Sequence, residues 1–455
     1  MTAGALDFLP PGLAALGGPR VAHRWQGLEW DRVELTPARL SAITDALERQ
    51  ANSVATLPTA RLVRSLDRVA AAWGRGSSPY RAAAERLLPA TTGYAPGMVA
   101  HALDQLFAPL SSAGLDELLK SEVGHMRSRP PRLVAVVAAG TVFPPAIVAA
   151  TCALLLRAPV VVKSSSLEPV LGPLWAQSVA DCDPELARLV TVLCWPRTAT
   201  ELTAALLAAA DTVVGFGDDD TIQALRATMP AAAHLVAHGH KVSAAILSAR
   251  ALAADPRGLA RRLARDVALY DQQGCLSPHT AFVVESAATP ASAFAHLLSE
   301  ELGALARRWP RGPLDLPGAS ALRQALAARE LAVEPPASVF FGGFEAGYAV
   351  ILDSEPGFEH SPLGRTVIVK PVPDMSAAIS ALAPVKDRLQ AVGLAVPHVE
   401  RRALERGLGL LDDLETNLDW VPRIRLCPIG AMQRPRLTWA ADGHRPLAAL
   451  CPERE

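Results

Sequence analysis

The sequence carries almost no excess charge of either sign. Lys and Arg total 44 and Asp and Glu total 45 in 455 residues, so the formal net charge at pH 7 is −1. A chain without a net field attracts neither nucleic-acid phosphates nor an anionic membrane surface. No run of basic residues with interleaved aromatic residues is present either, so we expect no nucleic-acid partner.

Cysteine is scarce, and its six occurrences follow no ligand or disulfide pattern. The absence of a CxxC pair and of Cys and His at metal-ligand spacing excludes the usual zinc sites and disulfide frameworks. Scattered thiols suit a reducing compartment, and the N-terminal residues lack the basic start of a secretory signal. We therefore expect a cytoplasmic protein without a bound metal, whose thiols are Cys152, Cys182, Cys194, Cys275, Cys427 and Cys451.

Long apolar runs are also rare. One stretch without charge, residues 133–156, is long enough to be considered as a membrane span. Gly140, Pro144 and Pro145 interrupt its middle, where a spanning helix would lose backbone hydrogen bonds. Its first part, LVAVVA, is β-branched and its second part, AIVAATCALLL, favours a helix. We predict a strand, a tight loop and a buried helix, and no membrane span.

The composition suits a large globular protein, since half of the residues are hydrophobic and the length predicts about two or three domains. The first hundred or so residues show helical spacing. From Arg132, short apolar runs alternate with Ala/Leu-rich helical segments, which indicates a parallel sheet covered on both faces. We place the main division near His238, between residues 1–238 and residues 239–455.

The second half continues as α/β structure. A strand begins near Ser243 and is followed by a helix, the loop DQQGCLSP at 271–278, another strand and a long helix. The Pro- and Gly-rich residues 309–362 predict a looser region. The segment TVIVKPV, residues 366–372, predicts a return to a regular strand.

Cys275 is the residue best suited to chemistry. It lies in the loop DQQGCLSP, where Gly274 permits close backbone approach and Ser277 and Pro278 stiffen the exit. A thiolate is a strong nucleophile and a good leaving group, as acyl transfer between thiols requires. A small buried residue is the commonest role of a free cysteine, so context alone leaves both interpretations open.

Two other segments carry candidate cofactor-binding residues. Lys163 ends the strand APVVVK and precedes a serine run that includes Ser165 and Ser166, and a positive charge with hydroxyls at the carboxyl end of a parallel strand suits a ribose or phosphate. Gly215 and Gly217 follow the strand DTVV, where glycine lets a nucleotide approach the backbone. The alternatives are a lysine that leaves the sheet for solvent and aspartates that only cap the next helix.

His240 and Gln273 are candidates for local hydrogen bonds in the reaction. His240, in the segment HGHK, has the chemistry of a proton donor or of a group that orients a neighbour. A strand-end pair of His238 and His240 without a chemical task is the alternative. Gln272 and Gln273 adjoin Cys275 closely in sequence, but nothing in the pattern assigns either of them a step.

Taken in order, these segments resemble those of the aldehyde dehydrogenase superfamily and, more closely, the LuxC-like long-chain acyl-CoA reductases. The resemblance covers about Arg132 to Leu450 and rests on VVVKSSS, DTVVGFG, HGHKVS, DQQGCLSP and the C-terminal RLCPIGAMQRPRLTW. It implies an α/β fold in which residues 1–238 form a helical N-terminal region and an NADP-binding domain. Residues 239–455 then form a catalytic domain with the nucleophilic cysteine and a C-terminal arm.

The resemblance also implies an activity, the reduction of a fatty acyl thioester to an aldehyde. It makes Cys275 the nucleophile that accepts the acyl group from coenzyme A or an acyl-carrier protein. Lys163 and the serines that follow it become adenosine-ribose contacts, and Gly217 becomes the turn beside the cofactor. It further implies a homo-oligomer and, as in the bioluminescence system, a partner enzyme that transfers the acyl group.

Three departures from the superfamily pattern refine this expectation. Ser166 stands where oxidising members carry a ribose-binding glutamate, and a neutral hydroxyl near Lys163 favours NADPH over NADH. Ala237 stands where hydrolytic members carry a base, so an acyl-enzyme should resist water. Thr141 replaces an asparagine of the related reductases, and losing an oxyanion donor costs about 10²-fold or more in rate unless the hydroxyl substitutes.

Two alternatives remain at this stage. The first is an NAD(P)⁺-dependent aldehyde dehydrogenase, for which Ala237 argues against the hydrolytic form and leaves the coenzyme A-acylating form open. The second is a catalytically silent homologue that binds acyl chains, a nucleotide or a partner subunit. Thr141 and Phe143, which depart from the pattern of the related reductases, are compatible with it.

Overall fold

The computed structural model describes residues 2–25, 27–76, 78–126, 129–330, 338–409 and 423–451. The chain forms two compact units. The first comprises Met1–Thr92, Val99–Gly239 and Arg436–Glu455, and the second comprises Gly93–Met98 and His240–Pro435.

The division of the sequence into 1–238 and 239–455 differs from these units at two segments. Residues 93–98 belong to the second unit and residues 436–451 to the first. Hydrogen bonds within the first unit hold the C-terminal residues there. The backbone N–H groups of Leu447 and Ala448 donate to Glu122 Oε2 at 2.8 and 2.9 Å, and Thr212 Oγ1 donates to the Leu450 carbonyl at 3.2 Å.

The first unit begins with a small sheet that the sequence analysis did not predict. Strands β1 (Thr2–Ala5), β2 (Arg20–Trp25) and β3 (Leu28–Val33) form it in the order β1-β3-β2, with β2 and β3 antiparallel. The helical prediction for this part is wrong. The buried residues of β3, Trp30 and Val33, belong to the types that favour strands.

Helices follow from residue 37, as predicted for the N-terminal region. In the first of them, Pro37 occupies the first turn and the Thr36 hydroxyl accepts a hydrogen bond from the Arg39 N–H at 3.2 Å, which fixes where the helix begins. The helices are α1 (Pro37–Ala51), α2 (Thr59–Ala72), α3 (Pro79–Thr92), α4 (Pro96–Phe107) and α5 (Ser112–Glu122).

A five-stranded parallel sheet forms the centre of the first unit, as the alternating pattern predicts. Its order is β6-β5-β4-β7-β8, and every residue of β4, β5 and β6 is buried. The elements are β4 (Val134–Val137), α6 (Pro144–Leu155), β5 (Val160–Lys163), α7 (Leu171–Cys182), β6 (Val190–Leu193), α8 (Thr200–Ala209), β7 (Thr212–Phe216), α9 (Asp219–Thr228) and β8 (His234–His238).

The strand order of this sheet reverses between β4 and β7. The chain runs outward from β4 through β5 to β6 and then returns to β7 on the other side. In open parallel sheets, ligands bind at the carboxyl ends of the strands beside such a reversal. The stretch 133–156 thus folds as a strand, a loop and a buried helix. Among the described residues, no helix combines the length and the apolar character that crossing a membrane requires.

A seven-stranded sheet organises the second unit, in the order β11-β12-β13-β10-β9-β14-β15. Only the pairing of β11 with β12 is antiparallel. The elements are β9 (Val242–Leu247), α10 (Ala249–Ala254), α11 (Pro256–Ala268), β10 (Pro278–Val284), α12 (Ala291–Arg308), α13 (Leu316–Glu330), β11 (Ser338–Gly343), β12 (Tyr348–Asp353), β13 (Thr366–Val372), α14 (Met375–Leu382), β14 (Leu389–Ala395), α15 (His398–Gly407) and β15 (Arg425–Pro428).

The region 309–362 is more regular than its composition suggests, because α13, β11 and β12 all lie within it. Its glycines mark turns. Gly342, Gly343 and Gly347 have φ values of +85°, +142° and +75°, which allow the chain to reverse between β11 and β12. The prediction of a looser region was therefore wrong.

Candidate active site

Cys275 is the one exposed thiol of the six. It lies between α11 and β10, three residues before β10 begins. Cys152, Cys427 and Cys451 are buried, and burial raises the pKa of Cys427 and Cys451 to about 11. Since the thiolate is the reactive form, exposure distinguishes Cys275 from these buried thiols and favours the nucleophile interpretation.

The backbone before Cys275 adopts a rarely populated conformation. Tyr270, Asp271 and Gln272 have φ values of +55°, +52° and +67°, and none of them is glycine. A non-glycine residue in this region costs of order 1–3 kcal/mol and persists only where its surroundings enforce it. The side chains of two of these residues supply that enforcement.

Asp271 forms a buried ion pair with Arg365. Asp271 Oδ1 accepts from Arg365 Nε at 2.8 Å and lies 2.6 Å from Nη2, while Oδ2 accepts from the Gly312 N–H at 2.9 Å. Arg365 Nη1 donates to the Trp309 carbonyl at 2.6 Å. Both side chains of the pair are almost completely buried, so the pair ties the start of the cysteine loop to the residues before β13.

Gln272 ties the same loop to two strands. Its Nε2 donates to the carbonyls of Pro278 and Thr366 at 3.0 and 2.6 Å, and its Oε1 accepts from the Thr366 N–H at 2.8 Å. The side chain is buried. Gln273, the candidate of the sequence analysis, has an exposed side chain, and its backbone N–H donates to the Tyr270 carbonyl at 2.9 Å.

The cysteine itself is held through its carbonyl. Ser243 Oγ, on β9, donates to the Cys275 carbonyl at 2.7 Å and accepts from the Ala391 N–H at 3.2 Å. The Ser277 N–H donates to the Gly274 carbonyl at 2.9 Å. The exposed thiol is thus carried by a backbone that is fixed on both sides.

His240 is exposed and lies between β8 and β9, at the start of the second unit. It interacts electrostatically with two other histidines of that unit, His279 and His360. His279 Nδ1 accepts from the Ser361 N–H at 3.0 Å, and burial lowers the pKa of His279 to about 4. His279 is therefore a neutral structural residue at physiological pH.

A small pocket lies at the carboxyl ends of β4 and β5, on the β5 side of the strand reversal. Its wall contains the loop after β4, in which Gly140 has a φ of +64° and Thr141 is half-buried. Ser165 also lines the pocket, and its Oγ accepts from the Leu167 N–H at 3.1 Å. Small side chains and hydroxyls at such a position suit a nucleotide.

Lys163 and Ser166 adjoin this pocket in sequence. Lys163 is the last residue of β5 and is buried, and its burial lowers the pKa of the ammonium. Ser166 is exposed. The structure therefore does not agree with the alternative of a lysine that leaves the sheet for solvent.

Glu168 also lines this pocket, and the sequence analysis did not identify it. Its Oε1 accepts from the N–H groups of Val170 and Leu171, both at 2.8 Å, at the start of α7. The side chain is buried, and burial raises the pKa of the carboxyl to about 7. The sequence does contain a signal for Glu168, because it is an acidic residue three positions before α7. An acidic side chain there can accept hydrogen bonds from the first N–H groups of the helix.

Gly215 and Gly217 allow α9 to approach β7. A Cβ atom on Gly215 would lie 2.7 Å from Leu225 Cδ1, and one on Gly217 would lie 2.8 Å from Thr221 Cβ. Asp218 Oδ1 accepts from the Thr221 N–H at 2.7 Å, and this bonding lowers the pKa of Asp218. Asp218 is therefore a helix cap, as one of the alternatives held.

The predicted site residues fall into two groups. Cys275, Gln273 and His240 belong to the second unit. The first unit contains the others, which are Thr141, Lys163, Ser165, Ser166, Gly215 and Gly217.

Solved structures share this fold. Aldehyde dehydrogenase 21 from Physcomitrella patens superposes with a TM-score of 0.72 at 11% identity, over 98% of this chain and 94% of that one. The NADP-dependent glyceraldehyde-3-phosphate dehydrogenase from Bacillus halodurans, solved with NADP, gives a TM-score of 0.65 at 14% identity, over 90% and 87%. The class defined at this level is the aldehyde dehydrogenase fold.

Sequence comparison identifies the family more closely. The family model described as "Acyl-CoA reductase (LuxC)" matches residues 54–452, and the chain belongs to this family. The long-chain acyl-protein thioester reductase of Aliivibrio fischeri is 24% identical over 288 residues, which cover 62% of this chain and 57% of that protein. The long-chain acyl-protein thioester reductase of Vibrio harveyi is 29% identical over 165 residues, which cover 36% of this chain and 34% of that protein. The chain thus spans about half the length of the former and a third of the latter.

Proposed function

We propose that this protein reduces a fatty acyl thioester to the aldehyde with NADPH, through an acyl group held on Cys275. The observation that carries the proposal is the exposed thiol on a loop fixed by buried side chains. Membership of the Acyl-CoA reductase (LuxC) family supports it. So do the names of the relatives from Aliivibrio fischeri and Vibrio harveyi, which are acyl-protein thioester reductases.

The proposed chemistry needs one nucleophile and one hydride. The Cys275 thiolate attacks the carbonyl carbon of the incoming thioester, a new S–C bond forms, and the bond to the carrier thiol breaks. NADPH supplies the hydride that adds to the same carbon. The resulting thiohemiacetal then breaks its bond to Cys275, so that the aldehyde leaves and the thiolate returns. One proton is consumed in the overall reaction, since the carrier leaves as a thiol.

Ala237 supports reduction over hydrolysis. It lies in β8, beside Gly215 of β7, and its side chain is a methyl group. Position 237 is where the resemblance to hydrolytic aldehyde dehydrogenases expects a base, and a methyl group cannot take a proton from water. We therefore expect an acyl group on Cys275 to resist hydrolysis.

We assign the adenosine end of a nicotinamide cofactor to the carboxyl edge of the five-stranded sheet, at the polar residues that follow β5. We assign the adenosine ribose to the end of β5, where Lys163 and Ser165 lie and Ser166 follows. We assign the turn beside the cofactor to Gly215 and Gly217, at the end of β7. Ser166 brings no charge against a 2′-phosphate, and Lys163 attracts one. These residues support NADPH, and an ionised Glu168, in the wall of the neighbouring pocket, would oppose a 2′-phosphate there.

The remaining groups complete the proposal. We assign the Cys275 backbone N–H to the oxyanion, and His240 and Gln273 to hydrogen bonds with reacting groups. For Thr141 we keep the oxyanion role that the family resemblance implies. The acyl donor is an acyl-CoA or an acyl-carrier protein, delivered by an acyl-transferring enzyme. We propose that the protein acts as a homo-oligomer in the cytoplasm.

The test is NADPH consumption by the purified protein with acyl-CoAs and acyl-carrier proteins of several chain lengths. The matched pair of variants is Cys275→Ala and Cys182→Ala, since Cys182 is a half-buried thiol on α7. Aldehyde formation that is lost only in Cys275→Ala would support the proposal and rank the chain lengths. Turnover that survives in Cys275→Ala, or no turnover with either type of donor, would reject it.

A further inference from the structure

The C-terminal motif CPIGAMQ, residues 427–433, brings a glutamine side chain to the cysteine loop. The motif begins in β15, whose residues pair in parallel with β14. Gln433 Nε2 donates to Ser277 Oγ at 2.8 Å and to the Asp266 carbonyl at 3.0 Å. Both N–H groups of the amide are therefore used. One of the two bonds ends on the loop that carries Cys275.

The amide oxygen of Gln433 also lies near Gly274, the residue immediately before Cys275. A Cβ atom built on Gly274 would lie 3.6 Å from Gln433 Oε1, which is ordinary van der Waals contact. Gln433 thus bonds to Ser277, two residues after Cys275, and its amide oxygen lies near Gly274, immediately before Cys275. Ser277 is completely buried, so its hydroxyl has no ready access to water as a substitute partner.

The backbone that carries Gln433 is itself fixed. Asp266, at the end of α11, accepts from the N–H groups of Gly430 and Met432 at 2.5 and 3.2 Å. Arg425 donates to the carbonyls of Ala431, Met432 and Arg434, at 2.8 to 2.9 Å.

The turn at Gly430 fits only glycine. It has a φ of +92°, and a Cβ atom there would lie 2.9 Å from the Arg262 side chain. The motif is therefore held by its own hydrogen bonds, and the Gln433 side chain extends from it to the loop.

We infer that Gln433 is a positioning residue for Cys275: through Ser277 it fixes the exit of the loop, and it thereby holds the thiol in the geometry that acyl transfer requires. This inference rests on the proposed function for the meaning of the geometry. It gives the C-terminal motif a task within the second unit. The amide cannot be replaced by a carboxylate, because glutamate has no N–H group to donate and places a negative charge beside the thiol.

The test compares Gln433→Met, which keeps the length and removes the hydrogen bonds, with Gln324→Met on the exposed face of α13. Of the two hydrogen bonds that Gln433→Met removes, one holds the cysteine loop. We expect its loss to slow both the acylation of Cys275 and the alkylation of Cys275 by iodoacetamide by about tenfold. We expect KM for the acyl donor to change less than twofold. Gln324→Met should match the unmodified protein in all three measurements.

Two further variants separate positioning from general loss of structure. Gln433→Glu should move the pH profile of Cys275 alkylation to higher pH, an effect that loosened packing does not produce. Ser277→Ala should slow acylation like Gln433→Met, and the double variant should be no slower than either single one, because the two residues act as a unit.

The outcomes distinguish this inference from the proposed function. Unchanged alkylation and acylation in both Gln433→Met and Ser277→Ala, or additive effects in the double variant, would overturn it. If Gln433→Met does not fold, Ser277→Ala alone decides in the same way. If the variants change alkylation as expected while the unmodified protein forms no aldehyde, the positioning of the thiol stands and the reductase proposal fails.

Discussion

The loop of Cys275 in the second unit and the loops that follow β5 and β7 in the first unit are held in opposite ways. Residues distant in sequence hold the thiol loop: Asp271 and Gln272 bond to partners 94 residues away, and Ser277 to one 156 residues away. Local bonds shape the loops after β5 and β7, because Glu168 and Asp218 accept from N–H groups two or three residues later. The thiol loop therefore depends on the packed second unit, whereas these two loops depend mainly on their own helices.

The largest expected effect comes from breaking the ion pair beneath the thiol loop. Arg365→Met leaves the Asp271 carboxylate buried without its cation, and such a loss costs about 3–5 kcal/mol. We expect the free energy of unfolding in urea to fall by that amount. The control is Arg257→Met. Arg257 is an exposed residue that forms ion pairs with Glu300 and Glu301, so its loss should lower the free energy of unfolding by at most about 1 kcal/mol. Equal effects of the two variants would contradict the account of the loop.

A smaller effect is expected from the two adjacent glutamines. Gln272→Met removes the three buried hydrogen bonds to Pro278 and Thr366, as well as a longer one from Ser361, so it should cost about 1–3 kcal/mol of stability. Gln273→Met changes an exposed side chain and should cost less than about 0.5 kcal/mol. Urea unfolding of both variants measures the difference. A larger cost for Gln273→Met would show that the hydrogen bonds of Gln272 do not fix the loop.

The smallest effect concerns Glu168 and the pH dependence of cofactor binding. Its pKa is raised to about 7 by burial, so the carboxyl is neutral below pH 7 and charged above it. Above pH 7 the charge repels a 2′-phosphate, and KM for NADPH should rise roughly fivefold between pH 6 and pH 8, equivalent to about 1 kcal/mol.

Steady-state kinetics across this pH range measures the effect in Glu168→Gln and in a control, Glu201→Gln, which changes an exposed residue in the first turn of α8. Glutamine keeps the acceptor for Val170 and Leu171, so the profile should become flat without loss of the helix start. A profile that stays steep in Glu168→Gln would exclude this carboxyl as its source.

The contrast between local and long-range hydrogen bonds also explains which parts of the fold and of the candidate site could be predicted from the sequence. The parallel strands of the first unit were predicted because a strand buried on both faces is a continuous apolar run, as in VVVK of β5. Cys275 was found because glycine and proline mark its loop. Glu168 had a local signal, the acidic position before α7, and was still missed.

Other features had no local signal. Arg365 and Gln433 lie far along the chain from the loop they support, and only folding brings them together. The β1–β3 sheet was missed because its strands are short and most of their described residues are exposed or half-exposed, so their apolar pattern is weak. The roles given to Thr141, His240 and Gln273 remain predictions.

The most direct test of the central claim is the intact mass of the protein after mixing with acyl-CoA, or with acyl-carrier protein, in the absence of NADPH. The account predicts one added acyl group, absent in Cys275→Ala, that disappears when NADPH is supplied and aldehyde forms. No adduct with either donor, or an adduct that persists in Cys275→Ala, would contradict it.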